Sequence, residues 1–400
     1  MKPVTHIRTF VGVYGILLSL FACVDPIDLD IPEINSFLVV DGLITDLPGP
    51  YEVKLSLSGP LSSNDFIQVE GAEVRIEEEN GVVEILTEEA TGLYRTSETG
   101  IRGRAGNRYK LYIRLPEGQQ YTTDWQLLKA APPIEEVYYQ FERRDRPDGR
   151  LERGTQIYLS TVDPQAQTQF YRWEWEATWL HVAPFSSGLK FLGNDEAEFV
   201  GSNTVCYNTT LSSNINIGSS LGNTNDQISD FPLLFVSTFG MELMFRYSIL
   251  VKQYALTEEE YFFWTNLEEA NENSGSLFDR QPQSNTGNVF RMENDAEPVL
   301  GYFSASGVSE KRLFIDRTEL PRDVNVGLAY TNDCFTRADT LTKERETDQD
   351  VFNAILSGRK FYDFIRDANL GILGWVLVPC ECYDCKELGG TTEIPDFWPQ

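Results

Sequence analysis

The chain has 400 residues and a formal net charge of −28, with 61 aspartates and glutamates against 33 lysines and arginines. This excess of acid disfavours nucleic acid and anionic lipid surfaces as direct partners, because phosphate binding needs a basic footprint. Hydrophobic residues make up 41% of the chain and aromatic residues 12%. That is enough apolar surface for more than one core, which excludes a largely disordered protein.

The N-terminal segment has the three parts of a secretory signal peptide. Lys2 and Arg8 precede an apolar run over residues 11–22, which ends on the small residue Ala22. The run is too short for a comfortable membrane span, which needs about 20 residues. Residues 1–22 are therefore predicted to be a cleaved signal, and the mature chain is expected outside the cytoplasm.

Residues 20–23, around the predicted cleavage site, read LFAC and resemble a bacterial lipobox. In that pattern the cysteine, here Cys23, is diacylated and becomes the new N-terminus. Each buried CH2 of an acyl chain such as palmitate contributes roughly 0.8 kcal/mol, so two or three chains hold a protein at a membrane. An ordinary cleaved signal with an unmodified cysteine is the alternative. We predict a lipid anchor, with residues 23–36 as a tether.

Residues 37–130 are predicted to form a β-sandwich. Asn80-Gly81 separates two runs of alternating character, which is a strong signal for a β-hairpin. The apolar faces of two further alternating segments are Tyr51, Val53, Leu55 and Leu57, and Tyr109, Leu111, Ile113 and Leu115. Short strands separated by Gly, Pro and Asn turns indicate an immunoglobulin-like or carboxypeptidase-regulatory-like β-sandwich.

Residues 131–400 are predicted to form a larger β-rich domain with two helices, beginning at the stiff break Pro132-Pro133. A capping box followed by apolar residues at helical spacing predicts the first helix near 257–272. A second apolar stripe predicts a helix near 348–368. The segment 201–230 is rich in Ser, Asn, Gly and Thr, so we expect long loops there with one short strand.

The segment FYRWEWEATWL places a row of aromatic residues on one face of a predicted strand. The row consists of Tyr171, Trp173, Trp175 and Trp179. An exposed row of this kind would offer a platform for sugar rings or peptide, because aromatic faces give large contact area at low entropy cost. In a domain of this size such a row more often fills the core, and core is the interpretation that we favour.

Five cysteines remain besides Cys23, and three of them lie close together near the C-terminus. They are Cys206, Cys334, Cys380, Cys382 and Cys385. Outside the cytoplasm thiols tend to become disulfides. We expect one or two bridges that hold the C-terminal segment to Cys206 and Cys334, with one thiol left over. Cys380 and Cys382, if both lie on one strand, point to the same face and are poorly placed to bond each other. A zinc site of C-terminal thiolates with Cys206 or Cys334 is the alternative.

Motifs that would carry catalysis are scarce. His181 is the single histidine left after signal removal, and the chain has no G-x-S-x-G elbow, no H-E-x-x-H and no P-loop. Paired carboxylates for glycoside cleavage stay open among so many acids, since their geometry depends on the fold. We therefore predict no catalytic residue, no cofactor and no metal ligand.

Three longer segments carry a resemblance to a known family. They are FWTNLEEANENSGSLFDRQPQSNTGNVF, EPVLGYFSASGVSEKRLFI and CYDCKELGGTTEIPDFW. Together they resemble the Bacteroidota lipoprotein family called domain of unknown function 4249, and the likeness extends over nearly the whole mature chain. The resemblance implies an outer-membrane lipoprotein, often found alongside TonB-dependent transport systems. It implies no activity and no binding residue.

These observations favour a non-catalytic binding or accessory component of a TonB-dependent uptake or envelope assembly system. The expected partners are the membrane, through the lipid anchor, and a TonB-dependent outer-membrane β-barrel. Two other classes stay open: an extracytoplasmic enzyme that acts on glycans or peptides, and a structural or adhesive surface protein.

The lipid anchor can be tested with Cys23→Ala. The variant loses the site of acylation, so we expect the protein to move from the membrane to the soluble fraction. Cell fractionation followed by immunoblotting measures the distribution. Retention of the variant in the membrane fraction at the wild-type level would contradict the anchor.

Overall fold

The structure is a computed structural model that describes residues 36–59, 67–146, 148–272 and 287–399. The predicted signal peptide, Cys23 and all but the last residue of the predicted tether lie outside these ranges. The described residues form 25 strands and four α-helices, so the predicted mainly β class is confirmed. None of these helices is long and apolar enough to cross a membrane.

The first ten strands belong to a β-sandwich. They are β1 (Leu38–Thr45), β2 (Glu52–Leu57), β3 (Ile67–Gln68), β4 (Glu73–Glu78), β5 (Val83–Ile85), β6 (Thr87–Ala90), β7 (Leu93–Arg95), β8 (Arg108–Arg114), β9 (Gln120–Thr123) and β10 (Gln126–Leu127). They divide between two sheets whose inner faces share one core. The predicted inward faces are correct, since Val53, Leu55, Leu111 and Ile113 are fully buried. The predicted hairpin is also present, because β4 and β5 pair across the Asn80-Gly81 turn.

Nine strands follow the Pro132-Pro133 break. They are β11 (Ile134–Asp145), β12 (Leu151–Val162), β13 (Phe170–Val182), β14 (Leu189–Gly193), β15 (Glu196–Phe199), β16 (Val205–Leu211), β17 (Asn216–Ser219), β18 (Gln227–Ser237) and β19 (Arg246–Ala255). One sheet has the order β11-β12-β18, and a second is built around β13, which pairs with β16, β17 and β19. Side chains from both sheets form a second core.

The prediction of long loops over residues 201–230 is wrong, because this segment contains β16, β17 and the start of β18. Both β16 and β17 pair with β13, and β16 buries Cys206, Tyr207 and Asn208. Pairing with a long central strand supplies the backbone hydrogen bonds here. Tertiary context has therefore overridden a polar composition that by itself favours loops.

The chain then returns to the first sandwich. Helix α1 (Glu258–Glu272) follows β19 at the predicted place, and β20 (Val289–Arg291) and β21 (Leu300–Ser306) come next. β20 pairs with β9, and β21 pairs in parallel with β1, so both sheets of the sandwich have six strands. The first domain predicted over residues 37–130 therefore lacks two of its strands, β20 and β21, because the sandwich is discontinuous in the sequence.

Gly301 allows β21 to lie against β1. Its φ is +88°, in the left-handed region that favours glycine. A Cβ at this position would lie only 1.9 Å from the carbonyl oxygen of Val40. Any side chain here would therefore push β21 away from β1.

The remaining elements complete the second part and form a small C-terminal module. They are β22 (Val308–Asp316), α2 (Leu328–Thr336), β23 (Asp339–Thr342), α3 (Asp348–Leu356), β24 (Arg359–Arg366), β25 (Ile372–Pro379) and α4 (Cys380–Tyr383). β22 pairs with β19, whereas β23, β25 and β24 make a separate three-stranded sheet. Phe191 of the β14–β15 hairpin packs into the core of this module beside Phe361 and Trp375.

The predicted helix near 348–368 is correct only in its first half. α3 ends at Leu356, and Gly358, with φ +95°, lies in the turn that leads into β24. The apolar residues of β24 pack through pairing with β25, in which Phe361 lies opposite Leu377. The expectation of two helices also missed α2 and α4, which are short and are held by disulfides.

Two disulfides hold the C-terminal segment to the rest of the fold. Cys206 of β16 bonds Cys385, and Cys334 of α2 bonds Cys382 of α4. Among the cysteines that the structure describes, Cys380 is the free thiol. The expected bridges to Cys206 and Cys334 are thus present in the structure, and the thiolates of the alternative zinc site are used by them. Cys380 and Cys382 lie on a helical turn, not on one strand as we assumed.

Removing the longer bridge should destabilise the protein. Cys206 and Cys385 are 179 residues apart in the sequence, and a disulfide that closes a long loop contributes about 2–5 kcal/mol. We expect the combined Cys206→Ser and Cys385→Ser variant to lose free energy of unfolding in this range, measured by denaturant titration without reductant. Cys380→Ser is the control and should change it by less than about 0.5 kcal/mol. A double variant as stable as wild type would show that the bridge contributes nothing.

Candidate ligand-binding cleft at the domain junction

A cleft of about 470 Å³ lies where the first sandwich meets the second part of the fold. One wall belongs to the first sandwich and is formed by β1, β2, the loop between them and β21. The other wall is formed by β13, β19 and α1 with the first residue of β22. Binding sites for small molecules are commonly found at such junctions. We call this site the junction cleft.

An apolar cluster beside the cleft fixes its walls. Phe170, Tyr254 and Leu256 are buried there, and Leu43 of β1 and Trp264 of α1 pack against them. Because these side chains come from both parts of the fold, their burial holds the two walls together.

Two hydrogen bonds from the segment between β21 and β22 cross the junction. The Val308 backbone N–H donates to the Asp46 carboxylate at 2.8 Å. The Gly307 N–H donates to the Lys129 carbonyl oxygen at 2.9 Å. The cleft is thus built by hydrogen bonds and packing that cross the junction.

The charged groups of the junction cleft are balanced, unlike those of the chain as a whole. Its cations are Lys54, Arg172 and Lys252, and its acids are Asp41, Glu52 and Glu174. Glu174 accepts from Arg172 at 2.7 Å and from the Tyr254 hydroxyl at 2.9 Å. Glu52 accepts from Arg95 at 2.9 Å. Three groups of each sign beside aromatic rings suit a polar organic ligand.

Arg172 is the most enclosed of the three cations. Its guanidinium carbon lies 4.8 Å from the ring centroid of Tyr254 and 4.4 Å from that of Trp264. The side chain is 12% exposed. Stacking on two rings and a hydrogen bond to Glu174 hold the guanidinium in one place.

Glu260 of α1 is a buried carboxyl group behind the cleft. It accepts hydrogen bonds from Ser304 Oγ at 2.5 Å and from Trp264 Nε1 at 3.3 Å. Burial raises its pKa. Glu260 therefore ties α1 to β21 and fixes the indole that stacks on Arg172.

The aromatic row predicted as a possible ligand platform lies in the core. Tyr171 and Trp173 are fully buried, and Trp175 and Trp179 are partly buried against the same core. The platform interpretation is therefore wrong, because this face of β13 turns towards the facing sheet. The opposite face of the strand carries Arg172 and Glu174. The sequence signal for the cleft was the set of charged residues that alternate with the aromatic row along this strand.

His181 lies far from the junction cleft. It is nine residues along β13 from Arg172, which corresponds to about 30 Å in a strand. Its Nε2 lies 3.0 Å from the Tyr330 hydroxyl, and burial lowers its pKa. The cysteines and His181 therefore supply no chemistry to the cleft. Among the described residues, no group of three or more His, Cys, Asp or Glu side chains could hold a metal ion.

A second depression, of about 630 Å³, lies near the tip of the β11–β12 hairpin. It is shallow and open to solvent. Two arginines line it, and one of them, Arg144, is already bonded to Glu152 at 3.0 Å and stacked on Phe235. We therefore regard the junction cleft as the better candidate site, despite its smaller volume.

Glu260→Gln tests the buried carboxyl group. A raised pKa means that the folded protein binds the proton more tightly than the unfolded chain does. Glu260 therefore makes the fold less stable as the pH rises from the unfolded pKa of about 4.3 to the folded pKa. Glutamine does not titrate, so the variant should gain free energy of unfolding over wild type between pH 4 and pH 7. Denaturant titrations at several pH values measure this difference, and a pH-independent difference would contradict the assignment.

Comparison with known proteins gives a family but no activity. Residues 24–312 match the family described as Domain of unknown function (DUF4249). The match includes every residue of the junction cleft and ends within β22, before the C-terminal module. No curated protein matches the chain. Since the match covers well over half of the 400 residues, the chain belongs to the DUF4249 family.

Proposed function

We propose that the chain is an outer-membrane lipoprotein, anchored through Cys23, that binds a small polar ligand in the junction cleft. It acts as a non-catalytic component of an uptake or envelope assembly system of Bacteroidota. The observation that carries the proposal is the cleft itself, whose two walls present balanced charges and aromatic rings. Small-molecule binding sites are typically concave and contain a few polar groups in fixed positions.

The charged groups of the cleft support binding over catalysis. Glu174 is bonded to Arg172 and Tyr254, and Glu52 to Arg95. Carboxylates that are already engaged by cations are poorly prepared to act as a general acid and base for glycan or peptide cleavage. The same groups can hold and orient a ligand without a change in their protonation or in their hydrogen bonds.

β1 connects the predicted tether to the junction cleft. The strand begins at Leu38, and Asp41, Leu43 and Thr45 of the same strand line the cleft. A tether that ends at residue 36 therefore places the cleft close to the anchored end of the chain, where a β-barrel partner in the same membrane would reach it.

The ligand-binding role is tested by recovering small molecules with the protein. Tagged protein is purified from native membranes as wild type, as the combined Lys54→Glu and Lys252→Glu variant, and as Lys190→Glu. The first two lysines line the cleft, whereas Lys190 is exposed on β14. Mass spectrometry of the released small molecules should show a compound that is depleted about tenfold in the cleft variant only, since charge reversal costs at least about 1.4 kcal/mol of binding.

The same preparations test the partner. We expect a TonB-dependent β-barrel to be recovered with wild type and with Lys190→Glu. Recovery of the protein alone would contradict the accessory role. Identical small-molecule profiles in all three preparations would contradict the cleft as the binding site.

A further inference from the structure

Arg172 has an unusual set of partners for a buried cation. Two aromatic rings stack on its guanidinium, and Nη1 donates to Glu174 at 2.7 Å. Nε is buried and has no hydrogen-bond partner among the described residues. A guanidinium has five N–H donors in a fixed plane. The rings and Glu174 therefore fix its orientation while leaving donors unused.

The unused donors lie on the edge of the guanidinium that suits a carboxylate. Nε and Nη2 point in parallel and form one of the two edges that bind a carboxylate through two hydrogen bonds. Glu174 occupies Nη1, which lies outside this edge. The sequence alone does not reveal this free edge, because the orientation of the Arg172 guanidinium is fixed only when β13, β19 and α1 pack together.

A second, smaller pocket adjoins the same side chain. Its volume is about 160 Å³, and Arg172 lines both it and the junction cleft. Its other wall is the polar loop that contains Ser212 and Asn214, together with Asn216, the first residue of β17. Asn216 donates to the Trp173 carbonyl oxygen at 3.3 Å, which holds this loop beside β13. Hydroxyl and amide groups next to a guanidinium are well suited to share the oxygens of one anionic group.

The surrounding charges favour a singly charged anion. Lys252 lies directly across from Glu174 in the β13–β19 pairing. Its ammonium group lies 3.9 Å from Glu310 and, like Arg172, lines the cleft, so two cations face a ligand anion there. Asp41 and Glu52 also line the cleft, and they would repel a doubly charged phosphate. A planar carboxylate with one charge fits both the guanidinium edge and this balance.

We infer that the junction cleft recognises its ligand through a carboxylate group that binds the Nε–Nη2 edge of Arg172. The inference rests on the proposed function and names the ligand class of that same site. The carboxylate belongs to a small molecule such as a peptide with a free C-terminus or a uronic acid sugar. The rest of the ligand lies in the junction cleft, among Tyr254, Trp264 and the acids of the first sandwich.

Matched pairs of ligands test the inference on the purified full-length protein in detergent. One pair is the tripeptide Gly-Gly-Tyr with a free or an amidated C-terminus. The other is galacturonic acid, which has a single carboxylate, or its methyl ester. Calorimetry or ligand-observed NMR measures the affinities. We expect the acid of one pair to bind at least about tenfold more tightly than its neutral partner, and the pair that shows this identifies the source of the carboxylate.

Variants assign the preference to Arg172. In Arg172→Gln the acid and its neutral partner should bind equally. Arg172→Lys keeps the charge without the planar edge and should recover only part of the preference. Arg312→Gln is the matched control, because Arg312 is also stacked on a ring, that of Phe397, but does not line the cleft. It should behave as wild type. Circular dichroism checks each fold, and if Arg172→Gln does not fold, the reduced preference of Arg172→Lys decides.

Two results overturn the inference without deciding the proposed function. In one, the neutral partners bind wild type as tightly as the acids. In the other, wild type binds neither acid. In both cases the small-molecule recovery from native membranes still decides whether the cleft binds a ligand. An acid preference that is unchanged in Arg172→Gln would also overturn it, because another cation would then hold the carboxylate.

Discussion

The parallel pairing of β21 with β1 is the contact on which the rest of the molecule depends. It extends over seven residue pairs, from Val39 opposite Leu300 to Thr45 opposite Ser306. Phe303 and Ala305 of β21 are buried in the core of the first sandwich. Only Gly307 separates β21 from β22, which belongs to the second part. One almost continuous stretch of chain therefore runs through both parts, and the geometry of the junction is fixed by sheet hydrogen bonds.

The segment from β21 to β22 also determines the geometry of the junction cleft. Ser304 of β21 donates to Glu260, and Glu260 accepts from Trp264. Trp264 in turn stacks on Arg172, whose neighbour on β19 is Tyr254. The binding groups thus depend on a chain of contacts that begins at the β1–β21 pair. A cleft held in this way is preorganised, so little ordering would be needed when a ligand binds.

Much of the architecture could be predicted from the sequence where burial follows a simple period. The alternation in β2 and β8, the Asn80-Gly81 turn and helix α1 all have strong local signals. The return of β21 to the first sandwich has none, because an apolar strand can pair with any sheet and the sequence does not say which. Polar β16 and the strand β24 after Gly358 were missed for the same reason. Their pairing partners, not their own composition, make them strands.

The candidate site could be predicted only in part. The sequence identified β13 as an important strand, but attention to its aromatic face led to the core and not to the cleft. Arg172 can be recognised as a binding residue only in the folded structure, where the ring of Trp264, which is distant in the sequence, stacks on its guanidinium. The disulfide pairs were easier to predict, because the compartment expected from the signal peptide and the odd number of cysteines restricted the choices to a few pairs. Long-range contacts of single side chains are the part that no local pattern contains.

Hydrogen–deuterium exchange of the β1 and β21 amides, followed by mass spectrometry of their peptides, tests this account most directly. If β21 is an integral strand of the first sandwich, its amides and those of β1 should be protected together, to the same extent as those of β13 and β19. Exchange in β21 that is orders of magnitude faster than in β13 would contradict the account. It would mean that the two parts are not joined through this pair and that the cleft between them has no fixed form.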